Sequence, residues 1–161
     1  MKNFLFFSAM FICIFKSAKA QVITIGVGPD VAITSGKLKN LYSVGVGGTV
    51  KGEVKLAPVS VTVQSGYLRF IGKDKRKDIG QVPIKFGLHY KFLSLPLYIE
   101  PQAGVDKWVS SGNSSTPFAY AFNLGVKGGS VDLSARYEGT KIGGEQVHFW
   151  GIRLAWYFGL L

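Results

Sequence analysis

Two histidines, one cysteine and a spread of charged side chains carry what chemistry this 161-residue chain has to offer. Hydrolysis by a nucleophile needs a serine or thiol, a histidine and a third polar group that orients it. His89 has Gly87 and Lys91 two residues away, and His148 has Gln146 and Trp150. Neither shares a strand face with a serine at that spacing, so a lipid-modifying barrel enzyme ranks last among the functions considered and no catalytic residue is assigned. The two histidines fit no metal-ligand spacing, and Cys13 falls in an apolar N-terminal run, so no metal or cofactor is expected. Gly26-Val27-Gly28 and Gly45-Val46-Gly47-Gly48 would cradle a phosphate only if a helix followed, and no helical period follows either.

Charged residues offer binding instead. Lys73-Asp74-Lys75-Arg76-Lys77-Asp78, close to Arg69, concentrates cations in one short stretch. Arg69, Lys73, Lys75, Arg76 and Lys77 form a candidate anion-binding set, suited to lipid phosphates or surface glycans. The competing reading is a solvated loop whose charge only aids solubility. A second set recurs at alternate positions: Lys51, Lys55, Lys85, Lys91, Arg136 and Arg153 against Asp30, Glu53, Glu100, Asp106, Asp132 and Glu138. Six cations against six anions on one face predict a paired network, since a buried ion without a partner costs several kcal/mol.

The elements that position these charges are strands. Apolar and polar residues alternate with period two from Gln21 onward. Tyr42, Val44, Val46, Val50, Val54 and Leu56 share one face, as do Val82, Ile84, Phe86, Leu88, Tyr90 and Phe92. Eight segments are predicted, at 21–34, 41–56, 59–72, 81–93, 96–110, 117–127, 130–138 and 146–159. Most reach the roughly 9–11 residues a tilted strand needs to cross a bilayer. The parity slip between Val63 and Leu68 predicts a β-bulge near Ser65-Gly66. Pro29 and Pro101 are expected at bulges too, because a closed sheet has no free edge for proline. Short connections alternate with longer polar ones at 35–40, 72–80, 111–116 and 139–145, as outer-membrane barrels show.

Three features put the apolar face outside, toward lipid, rather than inside as in a soluble barrel. Glycines crowd the polar face (Gly26, Gly28, Gly45, Gly47, Gly87, Gly104, Gly125, Gly151), where a narrow lumen needs room. Aromatics including Tyr42, Tyr90, Phe92, Phe118, Trp150, Trp156 and Phe158 lie near strand ends, as interfacial girdles do. The apolar face also runs the full strand length. An eight-stranded lumen is just wide enough for side chains to fill, which argues against a wide pore.

The N-terminus has the features of an export signal: Lys2, an apolar run over 4–15, then Ala18-Lys19-Ala20 in small-x-small spacing. The apolar run is too short to span a bilayer as a helix. The expected division is a signal peptide over 1–20 and a barrel domain over 21–161. Removing Lys2, Lys16 and Lys19 leaves sixteen basic and nine acidic residues. With the N-terminus in the periplasm the longer loops face outward. They and the adjoining strand ends then carry nine cations (Lys37, Lys39, Arg69, Lys73, Lys75, Arg76, Lys77, Lys107, Lys141) against Asp74, Asp78 and Glu145.

The segment Val82-Pro83-Ile84-Lys85-Phe86-Gly87-Leu88-His89-Tyr90-Lys91-Phe92, with the glycine-rich first strands and the export signal, resembles the small bacterial outer-membrane β-barrels of the OmpA-transmembrane-domain and OmpX type. The resemblance implies an all-β, up-and-down, eight-stranded antiparallel transmembrane barrel in the bacterial outer membrane. Such barrels usually end in an aromatic residue, whereas here Ile152, Leu154, Trp156 and Phe158 are followed by Gly159-Leu160-Leu161. The expected function is a non-enzymatic structural or surface-binding barrel. Its expected partners are membrane lipid and lipopolysaccharide or another anionic surface glycan, with a monomer favoured and nucleic acid excluded by the export of the basic loops. A narrow pore, or an accessory subunit of an envelope transport or secretion machine, is the alternative. Protein extracted from membranes is expected to begin at Gln21 on N-terminal sequencing; retention of Met1 would contradict the signal reading.

Overall fold

The structure is a computed structural model that describes residues 23–56, 58–74, 76–92, 95–110 and 113–159. The expected signal segment, and Cys13 within it, lie outside the described residues. The elements are β1 (Ile23–Ser35), α1 (Gly36–Leu41), β2 (Tyr42–Lys55), β3 (Val59–Gly72), β4 (Ile79–Lys91), β5 (Leu97–Ser110), β6 (Asn113–Ser115), β7 (Phe118–Gly128), β8 (Val131–Ile142) and β9 (Glu145–Gly159). Successive long strands pair antiparallel and β9 pairs with β1, so eight strands close into a barrel. The short β6 only extends the loop end of β5, with Trp108 opposite Ser115. Closure gives the strand backbones partners on both sides, which a hydrocarbon solvent demands.

The alternation decides which face is which. Phe86 is 63% exposed while its neighbour Lys85 is wholly buried, the reverse of a soluble barrel. Val46, Val50, Val61, Val63, Ile84, Leu88, Phe122, Leu124, Leu133 and Ile152 continue the outer apolar band. Exposed aromatics bracket it: Tyr67, Phe118, Tyr120 and Trp150 toward the loop end, Tyr90, Phe92, Trp156 and Phe158 toward the turn end. Both placements match a bilayer's two interfaces.

Four expectations are corrected. No bulge lies at Ser65-Gly66: β3 keeps one register with β2 from Ser60 to Phe70 and one with β4 from Val59 to Phe70. The parity slip instead marks a change in what the lumen contains, because Leu68 and Phe70 point inward and are fully buried. The only register shift in that ladder lies between Tyr42 and Gly45, and it turns Tyr42 into the interior rather than toward the interface. Pro29 and Pro101 likewise need no bulge. Each falls, with Pro83, where one adjoining ladder lapses for two residues without losing register, so no ladder bond is asked of the missing N–H.

The loop connections also differ from expectation. The first contains α1, whose Leu38 is fully buried in the barrel end. The fourth is short: the β8–β9 ladder runs to Ile142 opposite Glu145, leaving Gly143-Gly144 as a two-residue turn. Their φ values of 58° and 86° are the left-handed values such a turn needs, which glycine adopts without strain.

Within the barrel, large lumen side chains lie across glycines of neighbouring strands. A Cβ at Gly125 would stand 2.5 Å from the Tyr98 ring, and one at Gly26 would stand 2.6 Å from that of Tyr157. The polar-face glycines therefore make room for these rings. Phe86→Arg, near mid-membrane on the lipid face, should cost about 2–4 kcal/mol in unfolding experiments in bilayers. Unchanged stability would return the apolar face to the inside.

Candidate functional site

The lumen is built in layers, and its composition changes from one end to the other. At the loop end Leu68 and Phe70 from β3, Ile79 from β4, Trp108 from β5, Val147 and Phe149 from β9 and Ala32 from β1 form an apolar plug. Tyr42 and Leu38 pack into it from β2 and α1. Phe70 meets Phe149 edge-on at 5.3 Å between centroids and Trp108 at 5.4 Å. Large apolar residues at lumen parity near the loop ends of β3, β5 and β9 were the sequence signal for this plug, which the two-faced reading passed over.

Below it lies an ionic layer. Lys85 stands between Asp106, at 3.2 Å, and Glu138, which it contacts directly. Arg136 reaches Asp30 at 2.9 Å and Glu138 at 3.0 Å, and Gln81 donates to Glu138 at 2.7 Å. These side chains come from β1, β4, β5 and β8, so the layer ties together strands far apart in the sheet. A second layer centres on Glu100, which accepts from Lys51, from Thr62 at 2.7 Å and from Gln102 at 2.9 Å. Arg153 donates to Gln64, and Tyr98 donates to Asp132 at 2.8 Å. Charges so deeply buried are tolerable only when paired and hydrogen-bonded.

Ten of the twelve residues expected in the lumen network are therefore buried there: Asp30, Lys51, Glu53, Lys85, Glu100, Asp106, Asp132, Arg136, Glu138 and Arg153. The other two are corrected. Lys91 is exposed and Lys55 only half-buried, because both lie at strand ends where the lumen opens at the turn end. Lys127, at the last position of the predicted strand 117–127 and outside the predicted network, turns half-buried into the lumen mouth: it pairs with Glu53 at 2.5 Å and sits 3.6 Å over the Tyr157 ring. Its lumen parity with Asn123 and Gly125 was the signal.

The two histidines lie on opposite faces of the barrel. His89 is a lumen residue stacked on Tyr98 at 4.1 Å, with Nδ1 3.4 Å from Glu100. His148 is on the outer face, stacked on Tyr137. Ser60 stands directly opposite His89 in the β3–β4 ladder, a cross-strand neighbour the spacing argument could not identify. Among the described residues its hydroxyl makes no hydrogen bond to that imidazole.

The candidate anion-binding set is divided by the structure. Arg69 Nε donates to Asp78 at 2.7 Å, and the Gly72 N–H donates to the same carboxylate at 3.0 Å. The Gly72 N–H, then Arg69, hold the Asp78 carboxyl below its ordinary pKa. Lys73 Nζ donates to the Lys39 carbonyl at 2.7 Å, fastening this loop to α1. Arg76 and Lys77 are exposed, and their side chains have no partner among the described residues. Lys75 lies outside the described residues.

A closed sheet with a lipid-compatible exterior and a packed, charged interior defines an integral membrane β-barrel of the kind found in bacterial outer membranes. Comparison with solved structures agrees on the fold. The outer membrane protein Ail of Yersinia pestis, determined in a phospholipid bilayer nanodisc, superposes with a TM-score of 0.61 at 15% identity, over 86% of this chain and all of that one. The N-terminal β-barrel domain of Pseudomonas aeruginosa OprF gives 0.63 at 11% identity, over 86% of this chain and all of that one. Neisserial surface protein A gives 0.57 at 13% identity, over 84% and 94%. No protein-family model and no curated protein sequence matches the chain.

Arg136→Ala would leave Asp30 without its buried cation, and should destabilise the barrel by about 3–5 kcal/mol in urea unfolding. A midpoint equal to that of the unaltered protein would show that the ionic layer does not hold the strands together.

Proposed function

We propose that the chain, after loss of residues 1–20, works as a monomeric, non-conducting and non-enzymatic outer-membrane barrel whose basic loop end engages anionic envelope components. The supporting observation is the division of charge between interior and loop end. The interior carries an apolar plug above layers in which Lys51, Lys85 and Arg136 are paired with carboxylates, while Arg76 and Lys77 stand outside on the loop without partners among the described residues. A lumen so filled leaves the surface as the place for function.

Arg76 and Lys77 supply the free cations, with Lys75 next to them in the sequence. Lys73 and Arg69 hold the loop in place through Lys39 and Asp78. Exposed Lys39, Lys107 and Lys141 extend the positive field along the loop-end rim. Lipopolysaccharide phosphates and acidic surface glycans are the anions such a rim would meet, with lysine acting as a point charge and arginine able to bind bidentately. Exposed charges act over about a Debye length, roughly 8–10 Å at physiological salt, so binding must weaken as salt rises.

Replacing Lys73, Lys75, Arg76 and Lys77 together with serine should lower affinity for lipopolysaccharide and flatten its salt dependence, with the barrel still folded. Equal binding by both proteins across a salt series would return the cluster to a merely solvated loop.

A further inference from the structure

The turn end of the lumen holds a second concentration of positive charge, one that the surface-binding role does not use. There the packed interior opens into a cleft of about 360 Å³ lined by Glu53, Lys55, Ser60, His89, Lys91 and Lys127. Three lysines arrive from three different strands, β2, β4 and β7. The one carboxylate, Glu53, is already matched by Lys127 at 2.5 Å. Lys55 and Lys91 have no ion-pair or hydrogen-bond partner among the described residues. Ser60 and His89, both buried, add a hydroxyl and an imidazole to the wall.

We infer that this mouth is a binding site for a phosphate group. Two unmatched ammonium groups call for an anion. Several donors around one concavity suit a tetrahedral group with several acceptor oxygens better than a lone carboxylate. The packed lumen behind the cleft concentrates the lysines' field there, as a low-dielectric wall does. The turn-end aromatics Phe92, Trp156 and Phe158 place the opening at the level of lipid headgroups, so the phosphate arrives either on an anionic phospholipid or as a soluble phosphate. The site lies at the opposite end of the barrel from Arg76 and Lys77 and stands independently of the role proposed for them.

The test is a titration of the isotopically labelled protein in phosphatidylcholine nanodiscs with inorganic phosphate at constant ionic strength, followed by amide chemical shifts. The inference predicts saturable shifts at Ser60, His89 and Lys91. Lys55→Gln combined with Lys91→Gln should weaken them at least tenfold, whereas Arg76→Ser with Lys77→Ser leaves them unchanged. Well-dispersed spectra of both variants establish that the fold persists, and Lys91→Gln alone should give an intermediate loss. Nanodiscs containing phosphatidylglycerol form the second arm: shifts of the same amides without added phosphate identify a lipid headgroup as the source, and their absence identifies a soluble phosphate. Shifts that never saturate, that persist in the Lys55 and Lys91 variant, or that appear only at the loop end would overturn the site.

Discussion

A backbone amide or carbonyl in hydrocarbon has no water to bond, and each one left unpaired costs several kcal/mol. That cost obliges the sheet to close, and β9 returning to β1 is how this chain meets it. The exterior follows, since strands that cross a bilayer must turn their apolar residues to lipid, as Phe86 and Leu124 do. So does the alternation of the sequence, because successive side chains on a strand point to opposite faces. Even the strand prolines Pro29, Pro83 and Pro101 obey the constraint, each falling at a lapse in a ladder that keeps its register.

Closing only eight strands creates a second obligation, an interior narrow enough that side chains must fill it. The chain fills it differently at its two ends. Toward the loops Phe70, Trp108 and Phe149 pack as in a soluble core, with α1 contributing Leu38 as a lid. Deeper in, Lys85, Arg136, Asp106, Glu138 and Asp30 bind strands from opposite sides of the barrel through paired charge. A buried ion pair of this kind adds little over an apolar core of the same shape, but breaking it is strongly destabilising. The ionic layer therefore acts chiefly to hold one arrangement of strands.

Period two was legible in the sequence because both faces repeat it, and Lys51, Lys85, Arg136 and Arg153, on the predicted lumen face, are buried in the structure. It misled where the lumen itself turned apolar. Leu68 and Phe70 keep lumen parity, and an expectation of one polar and one apolar face could explain them only by a bulge. Strand ends were the other weak point. Lys55 and Lys91 share parity with buried lysines, yet depth along the strand, which alternation does not encode, leaves them at the mouth. Lys127 shows the converse, a strand-end residue left out of the predicted network that the strand carries inward to Glu53. The anion-binding set was read from charge density alone, and density does not reveal that Arg69 and Lys73 are already engaged by Asp78 and Lys39.

The account's central claim is that the interior is filled from the plug at the loop end down through its ionic layers. Current through single barrels in planar bilayers measures this most directly. The filled lumen predicts a baseline without discrete steps, and one still flat when Phe70, Trp108 and Phe149 are together replaced by alanine, because the ionic layers beneath them also close the lumen. Regular steps from the unaltered protein would contradict the account, because ions would then be crossing a lumen held to be closed.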